Sequence, residues 1–429
     1  MKHIFKLAAA AGVTMLLCAC GVAKNKASEA RPISKMDTKD VVIVGAARPD
    51  LFVPELKGKK IALLSNQTGI VPVELVKGKA VEKAAELSLP MEQAKGRKFV
   101  HSLDIMLANG LQVEKIYSPE HGFRGTADAG EAVASSIDEA TGVKIVSLYG
   151  SKEPIDLSDV DVVVVDIQDV GLRYYTYYAT MLRLMNKALE FDKEFLIMDR
   201  PNPNGMYVDG PILDMKYKSG VGALPIPTVH GLTLGEMAKM AEAKGWLQDG
   251  KKLKKLTVIP CLNYTHQTRY QLEVAPSPNL PNMTSVYLYP SLCYFEATPV
   301  SLGRGTDKPF QIYGHPGMKG SYDFTPVSSF GAKNPPQMDN LCHGQDLSGL
   351  AAEDIIAKGI DFSYLIDAYN QVGKDNPKFF RSFMELLSGR AEIRQMIEAG
   401  KSPEEIKAFW KADVEQFKID RKPYLLYAE

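Results

Sequence analysis

Between residues 60 and 260 the chain repeats one pattern: a short apolar run, often unbroken rather than alternating, followed by a longer segment with helical spacing. Unbroken runs such as Val162–Ile167 suit strands covered on both faces. Strands that alternate with helices imply a parallel, doubly wound α/β sheet. The expected strands are Ile61–Ser65, Val113–Ser118, Lys144–Leu148, Val162–Ile167, Phe195–Met198 and Leu256–Ile259. The expected helices between them are Phe99–Ala108, Tyr175–Phe191 and Leu234–Lys244. Beyond residue 260 the texture changes. Residues 263–345 are rich in Pro, Gly, Tyr and Asn, with strand-like runs such as Ser285–Tyr289, and helical periodicity returns near residue 350. Ser402-Pro403-Glu404-Glu405 reads as a helix start, with Ser as N-cap, Pro at the first helical position and Glu at the third. Ile406, Phe409, Trp410, Val414 and Phe417 then form a core-facing stripe.

The first twenty residues read as a signal segment. Lys2 and Lys6 precede a short apolar region, Leu7–Leu17, too short to span a bilayer comfortably. Leu17-Cys18-Ala19-Cys20 resembles a lipobox, with Cys20 as the lipidated cysteine. Residues 21–44 read as a tether. No acidic pair follows Cys20, so an exported lipoprotein on the periplasmic side of an outer membrane is expected. Basic and acidic residues balance at 51 each. A neutral chain without basic blocks argues against nucleic acid, and membrane attachment is expected through the lipid anchor only. Cys261, Cys293 and Cys342 are widely spaced and lack a CxxC, so they read as buried apolar residues.

In open parallel sheets, ligands sit beyond the carboxyl ends of the strands. Three polar loops emerge there. Glu120, His121 and Arg124 follow the strand ending near Ser118; Gln168, Asp169 and Arg173 follow the next; Asp199, Arg200 and Asn202 follow the third. Glu120, in a partly apolar site, would have its pKa raised and could donate a proton; otherwise it is a surface carboxylate or a helix cap. His121 would orient Glu120, bind substrate or act as a base, or simply close a turn. Arg124, between Gly122 and Gly125, suits a carboxylate ligand or an ion pair with Asp128 or Glu131. Tyr174, Tyr175, Tyr177 and Tyr178 offer aromatic faces for sugar rings, or else Tyr174 and Tyr178 face a core. Glycoside hydrolysis usually needs two carboxyl groups. Asp166, Asp169, Glu296 and Asp307 are candidates for the second, and spacing does not choose among them. Asn202 would bind a sugar hydroxyl or N-acetyl group, or stabilise its own turn. Arg304, between Gly303 and Gly305, superficially resembles a phosphate loop, yet no Walker or dinucleotide fingerprint occurs at a strand–helix turn. H-E-x-x-H and G-x-S-x-G are absent, and the seven histidines are scattered singly. No metal or cofactor is expected.

Together these motifs resemble the exo-β-N-acetylmuramidases of the NamZ type. The resemblance runs from about residue 45 to 429. It rests on SNQTG at 65–69, SPEHGFRG at 118–125, DIQDVGLRYYTY at 166–177, DRPNPNG at 199–205, PTVHGLTLGEM at 227–237, PSPNLPN at 276–282, EATPVSLGRGTDKPFQ at 296–311 and RKPYLLY at 421–427. It implies a Rossmann-like catalytic domain over 45–260 and a smaller α+β C-terminal domain over 261–429 that closes an active-site cleft. It also implies release of N-acetylmuramic acid from the non-reducing end of peptidoglycan fragments, with Glu120 as general acid. Asp169, Glu296 or the substrate's own acetamido oxygen would then stabilise the anomeric carbon. The expected substrate contacts are His121, Arg124, Gln168, Arg173, Tyr175, Asn202 and Arg304. Arg124, Arg173 or Arg304 would hold the lactyl carboxylate. The competing expectations are a muropeptide-binding lipoprotein without catalysis and another cell-wall hydrolase such as an amidase.

Overall fold

The computed structural model describes residues 41–119, 123, 135–148 and 154–429. The signal segment, Cys20 and most of the tether lie outside the described residues, as do Glu120, His121 and Arg124. The strands, in chain order, are β1 (Lys60–Ser65), β2 (Ile70–Pro72), β3 (Phe99–His101), β4 (Gln112–Ser118), β5 (Ser136–Ile137), β6 (Lys144–Ser147), β7 (Val162–Asp166), β8 (Glu194–Met198), β9 (Leu256–Ile259), β10 (Ile312–His315), β11 (Tyr322–Phe324) and β12 (Cys342–Asp346). The α-helices are α1 (Pro49–Leu56), α2 (Ser102–Ala108), α3 (Tyr177–Glu190), α4 (Leu234–Ala243), α5 (Met283–Leu292), α6 (Ala352–Lys358), α7 (Ser363–Ala368), α8 (Phe383–Ser388), α9 (Ala391–Glu398) and α10 (Pro403–Arg421).

Seven strands form the central sheet in the order β5-β6-β4-β1-β7-β8-β9. All neighbours are parallel except the edge pair β5–β6. Each of the six expected strands is present, within one residue at either end. The reason the runs were unbroken is visible in β7, where all five residues are buried. Side chains alternate across the sheet, so Val163 and Val165 join one core while Val162 and Val164 join the other. Helices α3 and α4 pack on the first face, and α1 and α2 on the second. This is the doubly wound arrangement.

The C-terminal part adds the antiparallel sheet β10-β12-β11 and helices α5 to α10. Its apolar residues Phe362, Trp410 and Phe417 belong to the same core cluster as Val163 and Tyr178 of the sheet part. Residues Val41–Glu429 accordingly form one compact unit. Its start precedes the expected end of the tether, because Ile43 pairs through its backbone with Leu262 and Val44 is buried. The C-terminal tail closes against the carboxyl edge. Tyr427 donates its hydroxyl to Asp199 Oδ2 (2.7 Å) and accepts the Cys261 N–H (2.9 Å), while the Leu426 N–H donates to Glu236 Oε1 (2.8 Å). Burial pushes the Asp199 carboxyl up to about 6.

Three expectations are corrected. Phe99–Ala108 is a strand followed by a helix: Phe99–His101 pairs with β2, and His101 Nδ1 caps α2 by accepting the Leu103 N–H (3.1 Å). Ser285–Tyr289 is helical rather than a strand. Its β-branched and aromatic residues mimic a strand, but Asn282 and Ser285 form a capping box and the segment is buried from Ser285 to Leu292. On α10, Ser402 and Glu405 form the expected capping box, and Ile406, Trp410, Val414 and Phe417 are buried. Phe409 is not; it is exposed at the surface, beneath the Arg390 guanidinium. The three cysteines are free and buried.

Candidate active site

Ranked by chain order, the parallel strands run third, second, first, fourth, fifth, sixth across the sheet, so the topological switch point lies between β1 and β7. Ser65 and Asp166 face each other there. The crevice is filled by protein. Asn66 Oδ1 accepts the Thr68 N–H (3.0 Å) and hydroxyl (2.6 Å), and Thr68 Oγ1 accepts the Gln168 N–H (2.9 Å). The Arg200 guanidinium donates to both oxygens of Asp166, at 2.6 and 3.0 Å, and to the Ile70 carbonyl (3.1 Å). Asn66 Nδ2 donates to the Tyr177 hydroxyl (2.7 Å), which donates on to the Pro276 carbonyl (3.2 Å). The Tyr175 hydroxyl reaches the same carbonyl at 2.9 Å. SNQTG, DIQDVGLRYYTY and PSPNLPN are therefore one interlocked polar unit.

Beside this plug opens a cavity of about 460 Å³. Its sheet-side wall includes Pro119 after β4, Leu148 after β6, Tyr175 just before α3, and Thr180 and Arg183 in the first half of α3. Its opposite wall is C-terminal: Ser277, Tyr289, Glu296, Arg304, Phe310 and Phe383. Arg304 donates to Glu296 Oε1 (2.7 Å) and lies 5.0 Å from the Phe310 ring centre. Tyr289 meets Phe310 edge to face at 4.8 Å and Tyr175 at 6.3 Å. An apolar, aromatic wall with a fixed donor–acceptor pair suits a ring with one apolar face and polar edges. Among the described residues, no cluster of three or more His, Cys, Asp or Glu suits a metal ion.

The residues singled out from sequence separate into groups. Glu120, His121 and Arg124 lie outside the described residues, though Pro119 directly before them lines the cavity. Within the same segment, Phe123 packs edge to face on His101, whose Nε2 lies 2.9 Å from the Asn66 carbonyl. Tyr175, Glu296 and Arg304 come together in the cavity. Arg173 does not. It is fully buried, and its terminal nitrogens donate to the carbonyls of Pro211 (2.6 Å), Ile226 (2.9 Å), Leu387 (2.9 Å) and Ser388 (2.7 Å). Gln168 is buried, donating to the carbonyls of Asp169 and Pro201. Asn202 stabilises its own turn: its Oδ1 accepts the Asn204 N–H (2.8 Å) and its Nδ2 donates to the Leu232 carbonyl (2.9 Å). Both polar atoms of the Asn202 amide are thus engaged, as is the Gln168 Nε2. All four tyrosines are buried, and Tyr174, Tyr175 and Tyr177 also line the cavity. Arg183, Tyr289 and Phe310 were missed. The only sequence signal for Arg183 is its helical spacing from Thr176 and Thr180.

Asp169 is buried beside the cavity's tyrosines. Its Oδ1 accepts the Gly171 N–H (2.7 Å), and its Oδ2 has no partner among the described residues. Burial pushes this carboxyl up to about 7. A carboxyl raised above its unfolded value contributes stability fully present below about pH 4 and lost as pH rises through 7. Asp169→Asn should therefore flatten the fall in stability between pH 4 and pH 8 by about 2–4 kcal/mol, read from denaturant midpoints at each pH. An unchanged pH profile would contradict the assignment. Arg173→Met should cost about 4 kcal/mol or more, because four buried carbonyls lose their donor. A variant of wild-type stability with weakened sugar binding would instead return Arg173 to the ligand site.

Comparison with known proteins fits this geometry. The family described as exo-β-N-acetylmuramidase NamZ, N-terminal, matches residues 87–284, and its C-terminal counterpart matches residues 287–427. A peptidoglycan β-N-acetylmuramidase NamZ from Bacillus subtilis (strain 168) is 34% identical over 433 residues, covering 94% of this chain and 95% of that protein. A crystal structure of a DUF1343 family protein from Bacteroides fragilis NCTC 9343 superposes with a TM-score of 0.79 at 54% identity, covering 91% of this chain and 99% of that one. A second DUF1343 structure from the same strain gives 0.70 at 25% identity, covering 90% and 99%. On these matches, the chain belongs to the NamZ family of exo-β-N-acetylmuramidases.

Proposed function

We propose that this chain is an exo-acting glycoside hydrolase that releases N-acetylmuramic acid from the non-reducing end of peptidoglycan fragments. The observation that carries the reading is the pairing of family membership, matched over residues 87–284 and 287–427, with a cavity of about 460 Å³ whose aromatic wall and Glu296–Arg304 pair suit an amino sugar. Glu120 is proposed as the general acid that protonates the leaving glycosidic oxygen. Its support is its place in SPEHGFRG, one residue beyond the cavity-lining Pro119. The group that stabilises the positive anomeric carbon is Glu296, Asp169 or the substrate's acetamido oxygen. Of the two carboxylates, Glu296 is favoured because it lines the cavity, whereas Asp169 does not.

Incubating the purified protein with N-acetylmuramyl-β-1,4-N-acetylglucosamine and weighing the products by mass spectrometry tests this. Free N-acetylmuramic acid is expected from the wild type, with turnover lowered about 10²–10⁴-fold in Glu120→Gln. Intact disaccharide recovered after saturable binding would mean a capture protein instead. An amidase would leave this disaccharide intact and would instead cut the stem peptide from a muropeptide supplied in its place.

We further propose that Cys20 carries a lipid and that the enzyme is exported to the periplasmic side of an outer membrane. The support is the lipobox-like Leu17–Cys20 after a short charged and apolar leader. Among the described residues, no helix is long and apolar enough to cross a membrane. Labelled fatty acid should be incorporated into the wild type and absent from Cys20→Ala. Equal labelling of both would sink the anchor.

A further inference from the structure

Three charged side chains line the cavity among the described residues: Arg183, Glu296 and Arg304. Two of them compensate each other, since Arg304 and Glu296 form an ion pair at 2.7 Å. Arg183 has no carboxylate within ion-pair distance among the described residues. Its Nη1 donates to the Leu148 carbonyl (3.1 Å) in the loop after β6, which fixes the guanidinium at the cavity wall and leaves its other donors for a ligand. Among the described residues the cavity therefore carries one positive charge without an ion-pair partner, at a known place.

That place is set by α3. Thr176, Thr180 and Arg183 sit at i, i+4 and i+7, so they share one helical face, and all three line the cavity. The face runs about 10 Å from Thr176 to Arg183 along the helix axis. At its inner end is the buried Tyr175; at its outer, exposed end is Arg183, bonded to Leu148, whose N–H donates to the Ser118 carbonyl next to Pro119. A sugar ring held against Tyr175 would direct one substituent outward along this face. A neutral amino sugar leaves Arg183 unmatched. An amino sugar bearing a carboxylate matches it, and a guanidinium fork suits a carboxylate.

We propose that Arg183 is the carboxylate receptor of the cavity: it pairs with the carboxyl group carried on an ether side chain of the bound amino sugar and so selects the anionic sugar over its neutral counterpart. Arg304, already neutralised by Glu296, serves the ring's hydroxyl and amide groups instead. The inference rests on the muramidase reading and deepens it, because it names the residue that distinguishes N-acetylmuramic acid from N-acetylglucosamine.

The test measures binding and turnover separately. N-acetylmuramic acid and its neutral methyl amide are titrated by calorimetry into wild type, Arg183→Gln and Arg304→Gln. The parent disaccharide and its amide are then assayed for cleavage. The wild type is expected to prefer the acid by about tenfold, a preference that weakens with added salt because Arg183 is exposed. Arg183→Gln should bring the acid-to-amide ratio close to one, with the loss in KM rather than kcat. Arg304→Gln should weaken both ligands alike and keep the ratio. Arg183 is a surface residue, so an unchanged melting temperature is expected for its variant. If Arg183→Gln keeps the wild-type ratio, if Arg304→Gln alone abolishes it, or if the wild type shows no preference, the receptor assignment is overturned. If the wild type prefers the acid through Arg183 yet cleaves neither disaccharide, the receptor stands and the glycosidase reading falls.

Discussion

Arg173 is a buried cation with no carboxylate partner among the described residues, and the shape of the cavity depends on it. Four main-chain carbonyls, two of them at the end of α8, converge on its two terminal nitrogens. The loop after β7 is thereby tied to the helix whose first residue, Phe383, forms part of the opposite cavity wall. Burying an arginine is costly, and burial holds this one below its usual range, but satisfying the carbonyls offsets that cost. The tyrosine hydroxyls act in parallel. Tyr175 and Tyr177 both donate to the Pro276 carbonyl, which anchors the segment carrying Ser277. The two walls are thus pinned by backbone acceptors rather than by side chains a ligand could displace, which is how a site is held to the precision that positioning requires.

The sheet has the strand order of dinucleotide-binding proteins but does not use its crevice that way. Where a pyrophosphate would approach a glycine-rich turn, this chain places Asn66, Thr68 and the Asp166–Arg200 pair. The polar plug fills the switch point and moves the open space toward β4, β6 and the start of α3, where Pro119, Leu148 and Tyr175 line it. Fold and function are separable here: the topology supplies a polar edge, and the loops decide what that edge can hold.

Much of the sheet was legible because its strands are buried on both faces, which leaves an unbroken apolar run that no surface element would show. The start of α10 was legible because capping is local chemistry. Ser285–Tyr289 was misread because a fully buried helix loses its polar face, and with it the helical period. At the site, residue type indicated polarity but not direction. Arg173, Gln168 and Asn202 stand in suggestive motifs, yet their side chains turn inward to satisfy carbonyls and turns that only the folded chain brings near. Arg304 and Glu296, eight positions apart, could be paired only once Phe310 and the start of the C-terminal part were in place. Arg183 escaped notice because one arginine on an amphipathic helix looks like an ordinary solvated residue.

Catalysis in the cavity between Pro119 and the Glu296–Arg304 pair fixes where the sugar must bind. The most direct measurement is a crystal structure of Glu120→Gln, chosen to slow turnover, with N-acetylmuramyl-β-1,4-N-acetylglucosamine bound. The muramyl ring should then lie against Tyr175 and Tyr289, with its glycosidic oxygen beside residue 120 and its carboxylate at Arg183. A disaccharide bound elsewhere on the protein, with this cavity unoccupied, would overturn that placement.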